Sequence, residues 1–451
     1  MFPAPGLNRD AARENGWINR LFTPHLEREE YQDLKFTLHR RLIERVNLEA
    51  LSSLGQDREQ AEIRDAILQL IDEERRPLTA AEKTRMVGEV MDEVFGLGPL
   101  EALLQDPTIS DILVTTPRLV YVERAGKLMA SPVQFRDDAH LLRIIEKIVS
   151  RVGRRIDESS PMVDARLPDG SRLNAVIPPV AVDGPLLSIR RFGMSALKPE
   201  DLIRNLTMTV EMLDLLRASV LARLNIVISG GTGSGKTTLL NVLSEFIPES
   251  ERIVTIEDTA ELRLHQVHVA RMEARSPNIE GKGAVGIRQL VINALRMRPD
   301  RIVVGEVRGE EAIDMLQAMN TGHDGSLTTI HANSPRDAIG RLEVMVGMAN
   351  SNIGPRAIRQ QISSAVNLFV QMARLSDGSR RVIRITECVG VEGDTVTTQD
   401  IFTFERTGLN REGKVTGRFQ PCGIRPRFHE QLEAAGFGLP QSVFETTVEI
   451  G

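Results

Sequence analysis

The sequence predicts an α/β protein: a parallel sheet wrapped by helices, preceded by a small α+β domain and a helical N-terminal segment. Three observations carry this. From Asn225 onward, apolar strands (Ile226–Ser229, Ile253–Ile256, Ile302–Val304, Ser326–Ile330) alternate with helical patterns, as a chain of strand–helix–strand units requires. Before that, short strands surround one strong helical pattern. Earlier still, Leu34, Leu38, Leu42 and Val46 recur at every fourth position, and Ile63, Ile67 and Leu70 repeat the habit after a break at Gly55-Gln56-Asp57.

In chain order, residues 1–25 read as a flexible N-terminus and 26–95 as a helical bundle. The capping box Thr79-Ala80-Ala81-Glu82 opens the third helix of that bundle, through Val94. Gly96-Leu97-Gly98-Pro99 breaks the pattern and opens the α+β domain at 96–192. Strands are expected there at Ser110 to Thr115, Leu119 to Arg124, Val163 to Arg166, Arg172 to Ile177 and Leu186 to Arg191, with a helix from Asp138 to Val152. Pro168-Asp169-Gly170 supplies a turn. A polar link with short helices, 193–224, leads to the main core at 225–451. Near its end, Arg380 to Val391 and Thr395 to Arg406 form a hairpin joined at Glu392-Gly393-Asp394.

Composition narrows the function. A chain of 451 residues should split into two or three domains, because single cores rarely exceed about 250–300 residues. Aromatics make up 4%, with a single Trp17 and only Tyr31 and Tyr121, few for stacking single-stranded nucleic acid. A net charge of -6 likewise disfavours a nucleic-acid groove. Cys388 and Cys422 cannot build a four-cysteine zinc site. No stretch of 18 apolar residues and no signal-peptide core occurs, so the chain is read as cytoplasmic, touching a membrane through partners.

The sharpest motif is Gly230-Gly231-Thr232-Gly233-Ser234-Gly235-Lys236-Thr237, a full G-x-x-x-x-G-K-[ST] match between a strand and the helical Thr238-Leu239-Leu240. Its glycines let backbone N–H groups close around phosphate oxygens at a helix N-terminus. Lys236, on an exposed loop, would reach the β- and γ-phosphates, and Thr237 would bind Mg²⁺ through its hydroxyl. Phosphoryl transfer also needs an acid on a neighbouring strand. Asp300-Arg301-Ile302-Val303-Val304-Gly305-Glu306 ends in one, and Ile253-Val254-Thr255-Ile256-Glu257-Asp258 ends in two. Strand C-terminal ends are where parallel α/β sheets bind ligands.

Two further clusters carry weaker signals. Gly281-Lys282-Gly283-Ala284-Val285-Gly286 fits G-x-G-x-x-G, but Arg275 to Glu280 before it reads as loop, so a dinucleotide fold is set aside. In Thr321 to Ser334, His323 and His331 flank a strand, and Ser334-Pro335 caps the next helix. No third metal ligand lies near them. His331, beside the acid-bearing strand, is the one placed to feel a γ-phosphate.

Taken in order, the segments resemble the type II/type IV secretion ATPase superfamily, which includes pilus and secretion motors. Gly230–Thr237 looks like its Walker A, Thr255-Ile256-Glu257-Asp258 its Asp box, Val304-Gly305-Glu306 its Walker B, and Thr329-Ile330-His331-Ala332-Asn333 its His box. Gly96-Leu97-Gly98-Pro99-Leu100-Glu101, Val120 to Arg124, Asp164 to Arg172 and Glu392-Gly393-Asp394 are similar to the CpaF/TadA branch, the motors of tight-adherence pili.

The resemblance implies a RecA-like ATPase core in a homohexameric ring that acts on inner-membrane platform proteins. It implies that Arg166, Arg172, Arg190 and Arg191 of the small domain help neutralise phosphate charge, and leaves open which of them acts and from which subunit. The expected chemistry is ATP hydrolysis with Mg²⁺. Gly230, Gly231, Thr232, Gly233, Ser234, Gly235, Lys236, Thr237 and Thr238 would bind the nucleotide. Glu306 would position or deprotonate water, and Thr237, Glu257 and Glu306 would serve the metal. Two rivals are a nucleic-acid-translocating ring ATPase of conjugation or helicase type, and a nucleotide-gated scaffold that does not hydrolyse. No nucleic acid is expected as partner.

Overall fold

In the computed structural model, residues 29–45, 56–74, 76–124, 126–191, 197–275, 282–349 and 353–450 are described. The N-terminus at 1–25, Val46, Gly55 and most of the loop before Lys282 lie outside them. The chain divides into two compact units, Met1–Met194 and Ser195–Gly451.

The first unit opens with helices Glu29–Arg45, Gln56–Glu73 and Ala80–Val94. Their apolar stripes bury Leu34, Leu38, Leu42, Ile63, Ile67, Leu70 and Val90 against one another, as the four-residue spacing requires. The capping box closes: Glu82 N donates to Thr79 Oγ1 at 3.2 Å, and Thr79 N donates to Glu82 Oε2 at 2.7 Å. Beyond Gly98 come β1 (Ile109–Thr116), β2 (Leu119–Arg124), β3 (Lys127–Ala130), β4 (Met162–Arg166), β5 (Arg172–Val176) and β6 (Leu186–Arg190). They form an antiparallel sheet in the order β3-β2-β1-β6-β5-β4. Alternate residues (Val163, Leu173, Ala175, Leu187, Ile189) face a core shared with Leu141, Ile144 and Ile148 of helix Asp138–Arg151. The intervening residues, including Arg166, Arg172 and Arg190, therefore occupy the opposite face.

The second unit is built on a ten-stranded sheet: β7 (Ile226–Gly230), β8 (Ile253–Glu257), β9 (Val269–Glu273), β10 (Arg301–Val307), β11 (Leu327–Ile330), β12 (Leu368–Arg374), β13 (Arg380–Glu392), β14 (Thr395–Leu409), β15 (Val415–Pro421) and β16 (Val448–Ile450). Its order is β16-β15-β14-β13-β12-β7-β11-β10-β8-β9. From β12 to β9 every neighbour is parallel, and from β12 to β16 every neighbour is antiparallel. Strand β7 is buried along its whole length, which its unbroken apolar run anticipates for a central parallel strand. Ile226 and Ile228 face one core, Val227 the other. The segment read as a polar link behaves differently from that expectation. Its helices Pro199–Arg204 and Val210–Leu221 belong to the second unit and bury Leu202, Met212 and Leu216 in its core. Helix Val210–Leu221 is itself rich in apolar residues, and the sheet face it covers buries them.

At the start of β10, Arg301 is completely buried. Its guanidinium donates to Val220 O at 2.9 Å and Gly325 O at 3.2 Å and pairs with Glu251. A buried charge so paired and bonded can stay inside. Gly325 sits at φ +81°, and a Cβ there would lie 1.8 Å from Arg301 Nη1. Gly325→Ala should therefore cost about 2–4 kcal/mol, read as a lower denaturant midpoint at unchanged slope. An unshifted midpoint would mean that Arg301 can be displaced without loss.

Candidate functional site

The edge of the parallel sheet where β7, β10 and β11 end brings the motifs together. After β7, the phosphate-binding loop turns through Gly233 at φ +70° and Gly235 at φ +96°, a conformation closed to most side chains. Gly230 is fixed by packing instead: a Cβ there would meet Ser234 Oγ at 2.5 Å and Met372 O at 2.6 Å. Gly235 caps helix Lys236–Ser244, so the first N–H groups of that helix open toward the loop. Ser234 Oγ and Lys236 Nζ both donate to Gly231 O, at 2.8 and 3.1 Å. Lys236 is not exposed as a loop position suggests: only 7% of it is accessible. Burial lowers its ammonium below the ordinary lysine range, against the attraction of Glu306. A buried cation without a counter-anion in its loop is the complement of a phosphate.

Glu306, near the C-terminal end of β10, faces this ammonium from across the sheet. His331 stands just beyond β11, the strand between β7 and β10. Its Nε2 is 3.0 Å from Glu306 Oε1 and 3.4 Å from Lys236 Nζ. Burial, with Lys236 beside it, holds the imidazole below its ordinary value. The neutral ring can donate to Glu306 or accept from Lys236, but not both, so it links the acid to the loop lysine. His323 lies before β11, at the strand's other end from His331, where its carbonyl accepts from Ser326 Oγ at 2.8 Å.

The Asp box places its two carboxylates differently. Glu257 is buried, and its Oε2 accepts from the backbone N–H groups of Glu261 and Leu262 at 2.7 and 2.9 Å. Burial raises its pKa. Its Oε1 is buried with no hydrogen-bond partner among the described residues, an orphan that a buried carboxylate does not keep without reason. Gly305 makes room for it: a Cβ there would come 3.0 Å from Glu257 Cγ. Asp258 is instead half exposed and meets Arg308 Nη1 at 3.3 Å. For Mg²⁺ the donor set fits, since that ion takes one or two carboxylates together with substrate phosphates. Thr237, on the first turn of the helix, adds a hydroxyl.

Four residues that the motifs do not name complete this edge. Arg308 Nη2 donates to Glu306 Oε2 at 2.7 Å, while Oε1, 3.0 Å from His331 Nε2, is buried without a hydrogen bond among the described residues. It lies two residues after Glu306, and period-2 alternation could have flagged it. Gln371 on β12 accepts from Ser229 Oγ at 2.5 Å and donates to Ala332 O at 3.1 Å, tying the loop strand to the His box. Arg374 and Arg380, at the β12–β13 turn, approach the phosphate loop from the side opposite Glu306. Nothing local in the sequence signals these last three. The glycine motif at 281–286 has its described part in a loop, bridged Arg275 to Val285, with Gly286 capping helix Ile287–Ala294.

In the first unit, the sheet register separates the four arginines. Arg166 pairs with Arg172, Arg172 with Arg190, and Arg190 with Asp111, all as directly opposite residues. Three guanidiniums thus form one row across β4, β5 and β6, with Arg190 Nε 3.0 Å from Asp111 Oδ1. Arg191 points the other way and donates to the carbonyls of Asp106 and Ile109.

The family described as Type II/IV secretion system protein matches residues 93–418. A Mycobacterium tuberculosis protein named for conjugal transfer is 39% identical over 307 residues, covering 67% of this chain and 87% of that one. The conjugal transfer protein TrbB of Rhizobium radiobacter is 32% identical over 294 residues, 64% of this chain and 86% of its own. The crystal structure of the VirB11 ATPase from the Brucella suis type IV secretion system is 29% identical, covers 65% of this chain and 97% of that one, and superposes with a TM-score of 0.35. With nearly three quarters of its length matched and an intact phosphate loop facing Glu306, the chain belongs to the type II/IV secretion system protein family and is an ATPase of that family.

Proposed function

We propose that this ATPase is a ring-forming motor, a homohexamer on the cytoplasmic side of a membrane. It couples ATP hydrolysis to the assembly or retraction of a pilus of the tight-adherence kind, or to protein export, by pushing on membrane-embedded platform proteins. The observation that carries the reading is the Glu306–His331–Lys236 cluster at the phosphate loop. Among the described residues no helix is long and apolar enough to cross a membrane, consistent with attachment through partners.

In the mechanism, the loop N–H groups and Lys236 hold the β- and γ-phosphates, and Lys236 stabilises charge that develops as the bond breaks. Glu306 orients the attacking water or takes its proton, for which Arg308 must give up one carboxylate oxygen. His331 stands 3.0 Å from the other oxygen and 3.4 Å from Lys236, and so would sense the γ-phosphate through Lys236. Thr237, Glu257 and Glu306 would hold Mg²⁺, which when bound with the nucleotide neutralises phosphate charge.

Glu306→Gln tests the role of the acid. The amide keeps the shape but cannot take a proton, so nucleotide binding should persist while turnover falls by about 10²-fold or more. Loss of binding together with turnover would make holding the metal, and not acting on water, the main role of Glu306. Native mass with and without nucleotide tests the ring. A second reading is a ring that moves nucleic acid during conjugation; the relatives' names give conjugal transfer only. ATPase stimulation by DNA that weakens with salt would establish it; the net charge of -6 speaks against it.

A further inference from the structure

We propose that Arg374 and Arg380 are the nucleoside-binding residues of the site, stacking on the base and contacting the ribose of the nucleotide held by the phosphate loop. This rests on the assignment of Gly230–Thr237 as that loop. The sheet order supplies the direction. Strands β11 and β10, bearing His331 and Glu306, lie on one side of β7, and β12 and β13 lie on the other. The reacting phosphate must face Glu306. The far end of the same extended molecule therefore leaves the loop on the β12–β13 side.

What stands there is the end of the β12–β13 hairpin, where Arg374 and Arg380 are directly opposite one another. Arg380 Nε donates to Gly233 O at 2.9 Å. Arg374 Nη1 and Arg380 Cδ lie 3.5 and 3.4 Å from where a Cβ would sit on Gly233 and Gly235. Both side chains are exposed. The turn between them is built rigidly. Leu375 N donates to Ser379 O at 2.8 Å, and the Asp377 carboxylate accepts from Ser379 N, Ser379 Oγ and Val415 N at 2.9, 2.6 and 2.8 Å. Burial opposes ionisation of Asp377, yet these bonds hold its carboxyl down at about 2.

A base needs a flat partner, and the second unit contains no Trp or Tyr: Trp17, Tyr31 and Tyr121 all precede it. Of its phenylalanines, Phe369, Phe402, Phe419 and Phe444 are fully buried, and Phe246, Phe404 and Phe437 are partly buried against the core. A guanidinium is planar, stacks on aromatic faces and offers donors to ribose hydroxyls. Two of them on a fixed turn beside the loop meet that need.

The test compares ADP with inorganic tripolyphosphate, which keeps a phosphate chain but lacks the nucleoside. Binding of each is measured by calorimetry to the full chain, to Lys236→Ala, to Arg374→Ala with Arg380→Ala, and to Arg374→Lys with Arg380→Lys. The double alanine variant should lose ADP affinity by about 10-fold or more while tripolyphosphate stays within about twofold. The double lysine variant, charged but not planar, should fail to restore ADP binding. Equal losses for both ligands would make the arginines supports of the loop or of the phosphate chain, and would overturn the proposal. So would unchanged ADP binding, or full rescue by lysine. If Lys236→Ala bound both ligands as the parent does, the phosphate-loop assignment itself would fall, a separate result from unchanged ADP binding in the arginine variants.

Discussion

Lys236→Ala should abolish ATP hydrolysis and leave the protein folded. Lys236 is 7% exposed, and its ammonium has Gly231 O at 3.1 Å and the Nε2 of His331 at 3.4 Å as neighbours. A cation buried in that way gains little in the empty site, since its desolvation already lowers its pKa. Removing it gives up one hydrogen bond worth about 1 kcal/mol and relieves a buried charge, so the two effects on stability offset one another. In the occupied site the balance reverses. The same ammonium faces phosphate charge in a water-poor pocket, where a single preorganised donor is worth about 10²–10³-fold in rate even before weakened binding is counted. Phosphate release should therefore drop to background while the thermal midpoint moves little. Turnover near the parental rate would refute the phosphate-loop assignment. A collapsed midpoint would show instead that Lys236 is a structural cation.

The second large effect is expected in the first unit. Substituting Arg166, Arg172 and Arg190 together by Ala in the full chain should reduce hydrolysis by about 10³-fold or more, the scale of an arginine supplied to a phosphoryl-transfer transition state. The reason is the register. Three like charges at directly opposite positions on neighbouring strands are an arrangement that a sheet does not adopt for its own stability. The row ends at Asp111, which Arg190 meets at 3.0 Å. If the row serves phosphate, activity per subunit should also climb steeply with protein concentration as rings assemble, and the triple variant should lose that activity while keeping its unfolding midpoint. Arg191→Ala makes the contrast. Its guanidinium holds the carbonyls of Asp106 and Ile109, so it should lower stability more than turnover. Full activity of the triple variant would remove the small domain from the chemistry.

The contiguous parts of the site were legible because their chemistry is contiguous. A phosphate loop is eight consecutive residues whose backbone does the binding, so Gly230 to Thr237 announced both the loop and the strand and helix on either side. Glu306 and Glu257 were found because strand ends are visible as apolar runs that stop at a charge. Their different surroundings were not. Only the fold shows that Glu257 spends one oxygen on the N–H groups of Glu261 and Leu262 while Glu306 stands between His331 and Arg308. The edge strands β3, β9 and β16 escaped notice because short strands with exposed or mixed faces carry no strong alternation.

By itself the sequence determined the class of core, the phosphate loop, the acids and the order in which they occur, since each is set by periodicity or by spacing along the chain. The tertiary structure decided which of these elements meet. Strand order interposed β11 between β7 and β10 and so brought His331 within reach of both Lys236 and Glu306. Register aligned Arg166, Arg172 and Arg190 and turned Arg191 to the other face, because side chains alternate along a strand whatever their chemistry. Core packing took the segment after Ser195 into the second unit, and an antiparallel turn set Arg374 and Arg380 beside a loop some 140 residues earlier in the chain. Such pairings are fixed by which strands hydrogen-bond across long separations, and local pattern carries no record of that choice.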